Sequence, residues 1–365
     1  MMNKEGFDIK KILVILDGMD DEPRQDTHGL TPRDLAFMPA LERMEKEGNV
    51  TLIKTIPHGN EPATDVAILK ILGNDVPESF SGRAWLEALG EGIDVNDSDL
   101  CIRCNLIRTD NGIIVSHAAE GIEDSSIAIE SFNSRFANGR FKFYKGRGYR
   151  NLLIIKNCNS NIRARPVHTL VGSEFESLYV DCDDDDIRNT LNDIISKAPE
   201  ILAACRCGDA NGIALWGSGR KPVMFPRKNE GVVVAGVSLV KGIGKWMGME
   251  APDVKGASGG IDTDLKAKMA TAADALRDNR FVLLHIEAPD EASHMRSPEI
   301  KKDILETIDR DVLMPLLNLP FDMDVTVMSD HATSSITGAH LDIPVKVVEC
   351  HIRNKSFHNP ISDKI

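Results

Sequence analysis

Residues 281–290 read Phe-Val-Leu-Leu-His-Ile-Glu-Ala-Pro-Asp, and His294 follows four places after Asp290. The first six residues form a nearly continuous apolar run, the pattern of a strand buried on both faces of a sheet. The run then meets acidic residues at once. Asp290 and His294, four apart, share one face if the chain turns helical there. Two further runs end the same way: Lys11–Leu16 (KILVIL) at Asp17-Gly18, and Asp324–Ser329 (DVTVMS) at Asp330-His331. In an open α/β sheet, ligands bind outside the carboxyl ends of the strands, so these groups are expected to converge although far apart in sequence.

Taken singly, each element has an ordinary reading. Asp-Gly after a strand is usually a turn, and Asp-His is more often a turn or cap than a ligand pair. Three such strand ends, with His340 shortly after the third, point to a shared site. Asp and His without thiolate suit Mn²⁺, Zn²⁺, Co²⁺ or Mg²⁺ rather than soft metals or iron–sulfur clusters. Two such ions clamp the attacking and leaving oxygens of an in-line displacement. The segment Glu61-Pro62-Ala63-Thr64-Asp65-Val66 opens a helix, whose N-terminus favours a phosphate. Thr64 there is either a helix cap or, if metal-bound, an alkoxide nucleophile.

The other runs are Gly212–Leu215, Val232–Ala235 and Pro344–Val348, alternating with helical patterns at Thr31–Glu47, Asp65–Leu72, Asp185–Ala198, Asp262–Arg277 and Pro298–Leu316. This alternation predicts an α/β protein. Gly48 and Gly73 stand where helix C-caps are wanted. Residues 110–175 differ, with strand-like Gly112–Val115 and Asn151–Ile155 around an amphipathic stretch, Ile122–Phe136. They are expected to form a small α+β cap inserted into a core made of residues 1–109 and 176–365. The acidic run Asp181–Asp186 reads as the start of a helix, since the ligand spacing of a calcium loop is missing.

The 365 residues carry a net charge of −13, which disfavours non-specific nucleic-acid binding. No stretch approaches the roughly 18 apolar residues of a membrane span, and Met1–Gly6 lacks a signal-peptide core. The seven cysteines include a lone CxxC (Cys101, Cys104) and a lone CxC (Cys205, Cys207), without the second pair a zinc finger needs. Reduced thiols of a cytoplasmic protein are expected. Dinucleotide and P-loop glycine patterns are not met at Gly242-Ile243-Gly244 or Gly217–Lys221.

The chain resembles the archaeal-type cofactor-independent (2,3-bisphosphoglycerate-independent) phosphoglycerate mutases of the alkaline phosphatase superfamily. The resemblance rests on ILDGMDDEP (15–23), TPRDLA (31–36), PATDVAILKILG (62–73), SGRAWLEALGEGI (81–93), RCNLI (103–107), YRNLL (149–153), ALWGSGRKP (214–222), LVKGIGKWMGM (239–249), HIEAPDEASH (285–294) and MSDHATSSITGAH (328–340). It implies an alkaline-phosphatase-like core, a mixed, mostly parallel sheet sandwiched by helices, with a small inserted domain. It also implies two divalent ions. Asp290, His294 and His340 would hold one; Asp17, Asp330, His331 and the nucleophile Thr64 the other. The implied reaction is glycolytic: 3-phosphoglycerate and 2-phosphoglycerate interconvert through a phospho-enzyme, without ATP or a bisphosphoglycerate primer. Arg83, Arg103, Arg150 and Arg220 lie in matching motifs as binders of a small phosphorylated hydroxy acid, a task suited to bidentate arginine, and His117 is a further substrate-binding candidate.

Several positions depart from the family pattern. Thr64 replaces the usual Ser, and Ile68 a His often found four residues later. Ser116–Gly121 (SHAAEG) replaces an arginine-rich segment and resembles a sister branch proposed to be homoserine kinases. Arg165–Thr169 loses an acid, and a polar tail, His351–Ile365, replaces the usual ending. A phosphotransferase of that sister branch, or a catalytically impaired relative, is therefore the alternative expectation.

Overall fold

The computed structural model describes residues 9–78, 80–224 and 226–353; Met1–Gly6 and residues 354–365 of the tail lie outside them. The chain divides into two compact units, one of Met1–Phe80 with Met224–Ile365, the other Ser81–Val223. Among the described residues no helix is long and apolar enough to cross a membrane.

The first unit is built on a six-stranded sheet. In chain order its strands are β1 (Lys10–Leu16), β2 (Asn49–Ile53), β3 (Val232–Val234), β4 (Phe281–Ile286), β5 (Met323–Met328) and β6 (Val345–Ile352). The spatial order is β3-β4-β1-β5-β6-β2. The first four run parallel, β6 pairs antiparallel to β5, and β2 antiparallel to β6. This is the mixed, mostly parallel sheet expected of an α/β chain. One face carries Ile12, Val14, Leu16, Val282, Leu284, Ile286, Val325 and Val327 into a hydrophobic cluster with helix Leu265–Asp278; in β1 and β4 the alternate residues are buried as well, which is why those two runs look continuous rather than alternating.

β1 lies between β4 and β5, so three adjacent parallel strands deliver their carboxyl ends to one edge. Asp17 N donates to the Ile286 carbonyl at 2.9 Å and continues the ladder one step past β1. Gly18 turns the chain with φ +62°. A Cβ there would lie 2.8 Å from Asp290 Oδ1 and 2.9 Å from Asp290 Cα, so glycine is required twice over.

Two expectations are corrected here. The pattern at Thr31–Glu47 is two helices, Pro32–Leu35 and Pro39–Glu47, because Met38 precedes a proline and is pushed out of the helical region. The second unit is also wider than the expected 110–175. Leu100–Asp110 and Gly212–Gly219, which the sequence reading left in the core, pair with each other and, through Leu100–Asp110, with Arg150–Ile155. These strands join Ile113–Ser116 and Phe141–Tyr144 in a five-stranded antiparallel sheet. Helices Ser126–Phe136 and Asp185–Cys205 pack with it round a separate hydrophobic cluster. Asp184 caps the second of these by accepting from Ile187 N, so the acidic run is a helix start. All seven cysteines are buried and free.

The turn after β1 is anchored by Lys301 of helix Pro298–Ile308. Its fully buried ammonium donates to Asp21 Oδ2 at 2.9 Å, to the Asp20 carbonyl at 3.2 Å and to the Thr333 carbonyl at 2.8 Å. All three of its protons are used, and the pair ties the segment after Asp17 to the segment after His331. Replacing Lys301 with Met should cost about 3–5 kcal/mol by stranding the Asp21 carboxylate. Denaturant unfolding checks this, and adding Asp21→Leu should restore much of the loss.

Candidate metal centre

The strand ends assemble two groups of donors. In the outer group, Asp290 and His294 lie on one face of the short helix Ala288–His294, with His294 Nε2 3.0 Å from Asp290 Oδ2. His340 Nε2 lies 3.5 Å from Asp290 Oδ1 and 3.2 Å from His294 Nε2. Both imidazoles are oriented from behind. His294 Nδ1 donates to the Gly338 carbonyl at 2.8 Å, and His340 Nδ1 to the Pro62 carbonyl at 3.0 Å. Each therefore turns Nε2 towards the carboxylate, as ligating histidines do.

The inner group is closed off. Asp17, Asp330 and His331 are wholly buried. His331 Nε2 stands 3.5 Å from Asp17 Oδ1, 3.4 Å from Asp330 Oδ2 and 3.4 Å from Thr64 Oγ1. Thr333 sets the tautomer. Its hydroxyl donates to Asp290 Oδ1 at 2.6 Å, leaving its oxygen to accept from His331 Nδ1 at 3.2 Å. The lone pair of His331 is then on Nε2, among the acids. Thr64 is the first residue of helix Thr64–Ile71, whose N-cap is Ala63. Its hydroxyl is thus turned to His331 rather than capping the helix.

Electrostatics distinguish the members. Burial, then the charges of Asp330, Asp290 and Glu287, push Asp17 well above the usual carboxylate range. Burial also raises Asp290, but the His294 hydrogen bond and the His294, His340 and His331 charges outweigh it and hold Asp290 well below that range. His294 is the converse. Burial lowers it, yet the bond to Asp290 and that carboxylate's charge raise it to about 9. Burial, then His331, lowers His340 to about 4.

The donor set fits divalent cations. Asp290, His294 and His340 place three donor atoms within 4.8 Å of one another, as do Asp17, Asp290 and His331. Both oxygens of Asp17 and Oδ2 of Asp330 are buried with no hydrogen-bond partner, a costly state that a cation relieves. Two residues that touch these donors carry no signal in the strand-end pattern: Thr333, and His285, whose Nε2 is 3.3 Å from Asp17 Oδ2. His285 sits inside an apolar run, and Thr333 looks like any polar turn residue.

The expected substrate-binding residues all belong to the Ser81–Val223 unit. Arg103 Nε and Arg83 Nε share the Glu87 carboxylate, at 3.1 and 3.3 Å. Arg103 also stacks 4.0 Å over the Trp216 ring, and Arg150 4.7 Å over Tyr149. Burial lowers Arg103 to about 10, against the Glu87 charge and with the Arg83 and Arg150 charges adding to the fall. Two guanidiniums thus share one carboxylate, and Arg150 is close enough to Arg103 for its charge to be felt there. Arg220 stands apart, donating to the Cys158 and Ser160 carbonyls at 3.0 and 2.5 Å. The His117 carbonyl accepts from Asn105 Nδ2 at 3.3 Å.

In the chelator-treated chain, His294 should titrate near 9 by NMR, and near its ordinary value in Asp290→Asn. A raised folded-state pKa stabilises fully below the unfolded value of about 6.5. That contribution should fade as pH rises through about 9, and the pH dependence of Tm for the two metal-free chains checks the sign.

Comparison with known proteins follows this geometry. A family model described as 2,3-bisphosphoglycerate-independent phosphoglycerate mutase matches residues 46–207. A solved structure of a Pyrococcus horikoshii protein superposes with a TM-score of 0.74 at 24% identity, covering 95% of this chain and 89% of its own. The cofactor-independent phosphoglycerate mutase of Thermoplasma acidophilum superposes at 0.53 and 23% identity, covering 93% and 89%; at these identities both show the fold alone. In sequence, the 2,3-bisphosphoglycerate-independent phosphoglycerate mutase 2 of Methanothermobacter thermautotrophicus is 33% identical, over 93% of this chain and 88% of that protein. On that identity and coverage, the chain belongs to the family of 2,3-bisphosphoglycerate-independent phosphoglycerate mutases.

Proposed function

We propose that the chain is an isomerase that interconverts 3-phosphoglycerate and 2-phosphoglycerate, with Thr64 as the phosphoryl carrier. The fold is then an alkaline-phosphatase-like core whose Ser81–Val223 unit is the inserted domain, and the setting is the cytoplasm, where glycolysis runs. Two divalent cations are assigned, one to Asp290, His294 and His340 and one to Asp17, Asp330, His331 and Thr64, with Mn²⁺, Co²⁺, Zn²⁺ and Mg²⁺ as candidates. The observation that carries this reading is the Thr64 hydroxyl, 3.4 Å from His331 Nε2 at the first position of a helix and beside the buried carboxylates.

When bound, such ions lower the pKa of a hydroxyl and neutralise phosphoryl oxygens. The chain's own groups account for the rest. Thr64 Oγ1 attacks phosphorus, forming the Oγ–P bond as the substrate's P–O bond breaks, and its proton passes to the departing glycerate oxygen. The neighbouring hydroxyl of the retained glycerate then attacks phosphothreonine, and Thr64 regains a proton. The N-terminus of helix Thr64–Ile71 favours the phosphate at the same spot. Arg83, Arg103 and Arg150 supply the positive charge that a carboxylate-bearing substrate requires. Arg220, which also donates to the Cys158 and Ser160 carbonyls, and His117 complete the proposed substrate-binding set.

Pure protein loaded with Mn²⁺ should interconvert the two phosphoglycerates without bisphosphoglycerate. Thr64→Ala should lower the rate on the order of a thousandfold or more while Thr64→Ser retains it. A silent mutase assay with phosphate transferred to homoserine would place the chain in the sister branch instead. Metal binding without any transfer would make it an impaired relative.

A further inference from the structure

His285 is the fifth residue of β4 and is wholly buried. Strand alternation separates it from its neighbours. Val282, Leu284 and Ile286 enter the hydrophobic cluster beneath the sheet, while His285 lies on the opposite face, in register with Ile15 of β1. Two residues beyond Ile15 comes Asp17, so the same face of the same strand pair brings the imidazole to the carboxylate. His285 Nε2 is 3.3 Å from Asp17 Oδ2, and donor atoms of His285, Asp17 and Asp330 lie within 4.8 Å of one another. The Lys268 ammonium donates to the His285 carbonyl at 3.2 Å, which fixes the backbone there.

A histidine that merely fills a core satisfies at least one ring nitrogen. Here neither nitrogen of His285 has a hydrogen-bond partner, and neither oxygen of Asp17 nor Oδ2 of Asp330 has one. Five unpaired polar atoms on three buried side chains thus occur together. The 3.3 Å approach to Asp17 lacks hydrogen-bond geometry, so the imidazole is not serving as its donor. A cation accepts lone pairs from imidazole and carboxylates alike and answers all three side chains at once.

We propose that His285 Nε2 is a ligand of the inner cation, alongside Asp17, Asp330 and His331. This rests on the metal-dependent reading above and adds a second imidazole to the inner donor set. Two imidazoles and two carboxylates favour Mn²⁺, Co²⁺ or Zn²⁺ over Mg²⁺, which prefers oxygen and water. Nothing in the run FVLLHI marks the residue from sequence, because its spacing is that of a core strand.

The test uses the full chain, stripped with chelator and reloaded with Mn²⁺, with Co²⁺ and Zn²⁺ dialysed in parallel. For the wild type and His285→Leu, equilibrium dialysis measures ions bound per chain, and pulsed EPR counts the nitrogens coupled to Mn²⁺. The variant should bind the inner ion about 10- to 100-fold more weakly, since even indirect support of a ligand is worth that much, and should lose one coupled nitrogen. Its metal-free form should melt no lower than the wild type, because leucine removes two unpaired nitrogens. Unchanged Mn²⁺ binding and an unchanged nitrogen count would overturn the proposal and leave the metal reading intact. A wild type that binds no Mn²⁺, Co²⁺ or Zn²⁺ would overturn both. If His285→Leu does not fold, the nitrogen count of the wild type decides. Two imidazoles at the inner ion support the assignment and one refutes it.

Discussion

The repulsion among Asp17, Asp290 and Asp330 is the constraint on which the rest of this site depends. Two of these carboxylates are wholly buried and the third nearly so, where charge is costly and like charges are poorly screened. Relief from within the chain is unequal, and Asp330 has the Gly18 amide, which donates to its Oδ1 at 3.4 Å. Asp290 draws on His294, His340 and Thr333, whereas Asp17 meets Asp330, Asp290 and Glu287 and is driven upward. Such an arrangement persists only if the backbone forces it. It does so here through three adjacent parallel strands with a common edge, through Gly18, where a side chain would strike Asp290, and through Lys301 beneath the turns.

The two donor groups differ in how they meet solvent. His294 and His340 keep 40% and 25% of their side-chain surface exposed, and backbone carbonyls hold their rear nitrogens. The inner group is sealed, and its orientation comes from side chains, Thr333 above all. Because the Thr333 hydroxyl donates to Asp290 while accepting from His331, one residue couples the geometry of both groups. A displacement of Asp290 or of His331 is therefore transmitted to the other group.

The core was legible in the sequence for a physical reason. Parallel strands buried on both faces must be apolar throughout, and those runs end abruptly where polar groups gather. β1 and β4 therefore stood out with Asp17 and Asp290, and β5, whose burial alternates, through the Asp330-His331 pair at its end. The second unit was misjudged because Leu100–Asp110 hides its period. Arg103 and Asn105 interrupt it, yet both are buried, so polar residues occupy positions that read as surface. Helix Ser238–Met247 escaped likewise, its two glycines masking an otherwise apolar face. Local chemistry that depends on partners from elsewhere leaves no local pattern, and Thr333 and His285 are both of that kind.

Thr64 in place of the family's serine is easier to place once its surroundings are known. A capping threonine would turn its oxygen back to its own helix, but here Ala63 holds the cap position and the Thr64 hydroxyl meets His331. The added methyl group restricts χ1. At a position already 92% removed from solvent, given 8% exposure, that stiffness narrows the directions in which the oxygen can point. Restriction of this sort favours in-line attack if the allowed direction is the productive one and blocks it otherwise. Ile68, one turn later and fully buried, brings no imidazole to assist. The imidazole that meets Thr64 is His331 instead, and in the proposed site its lone pair belongs to the inner cation rather than to the threonine proton.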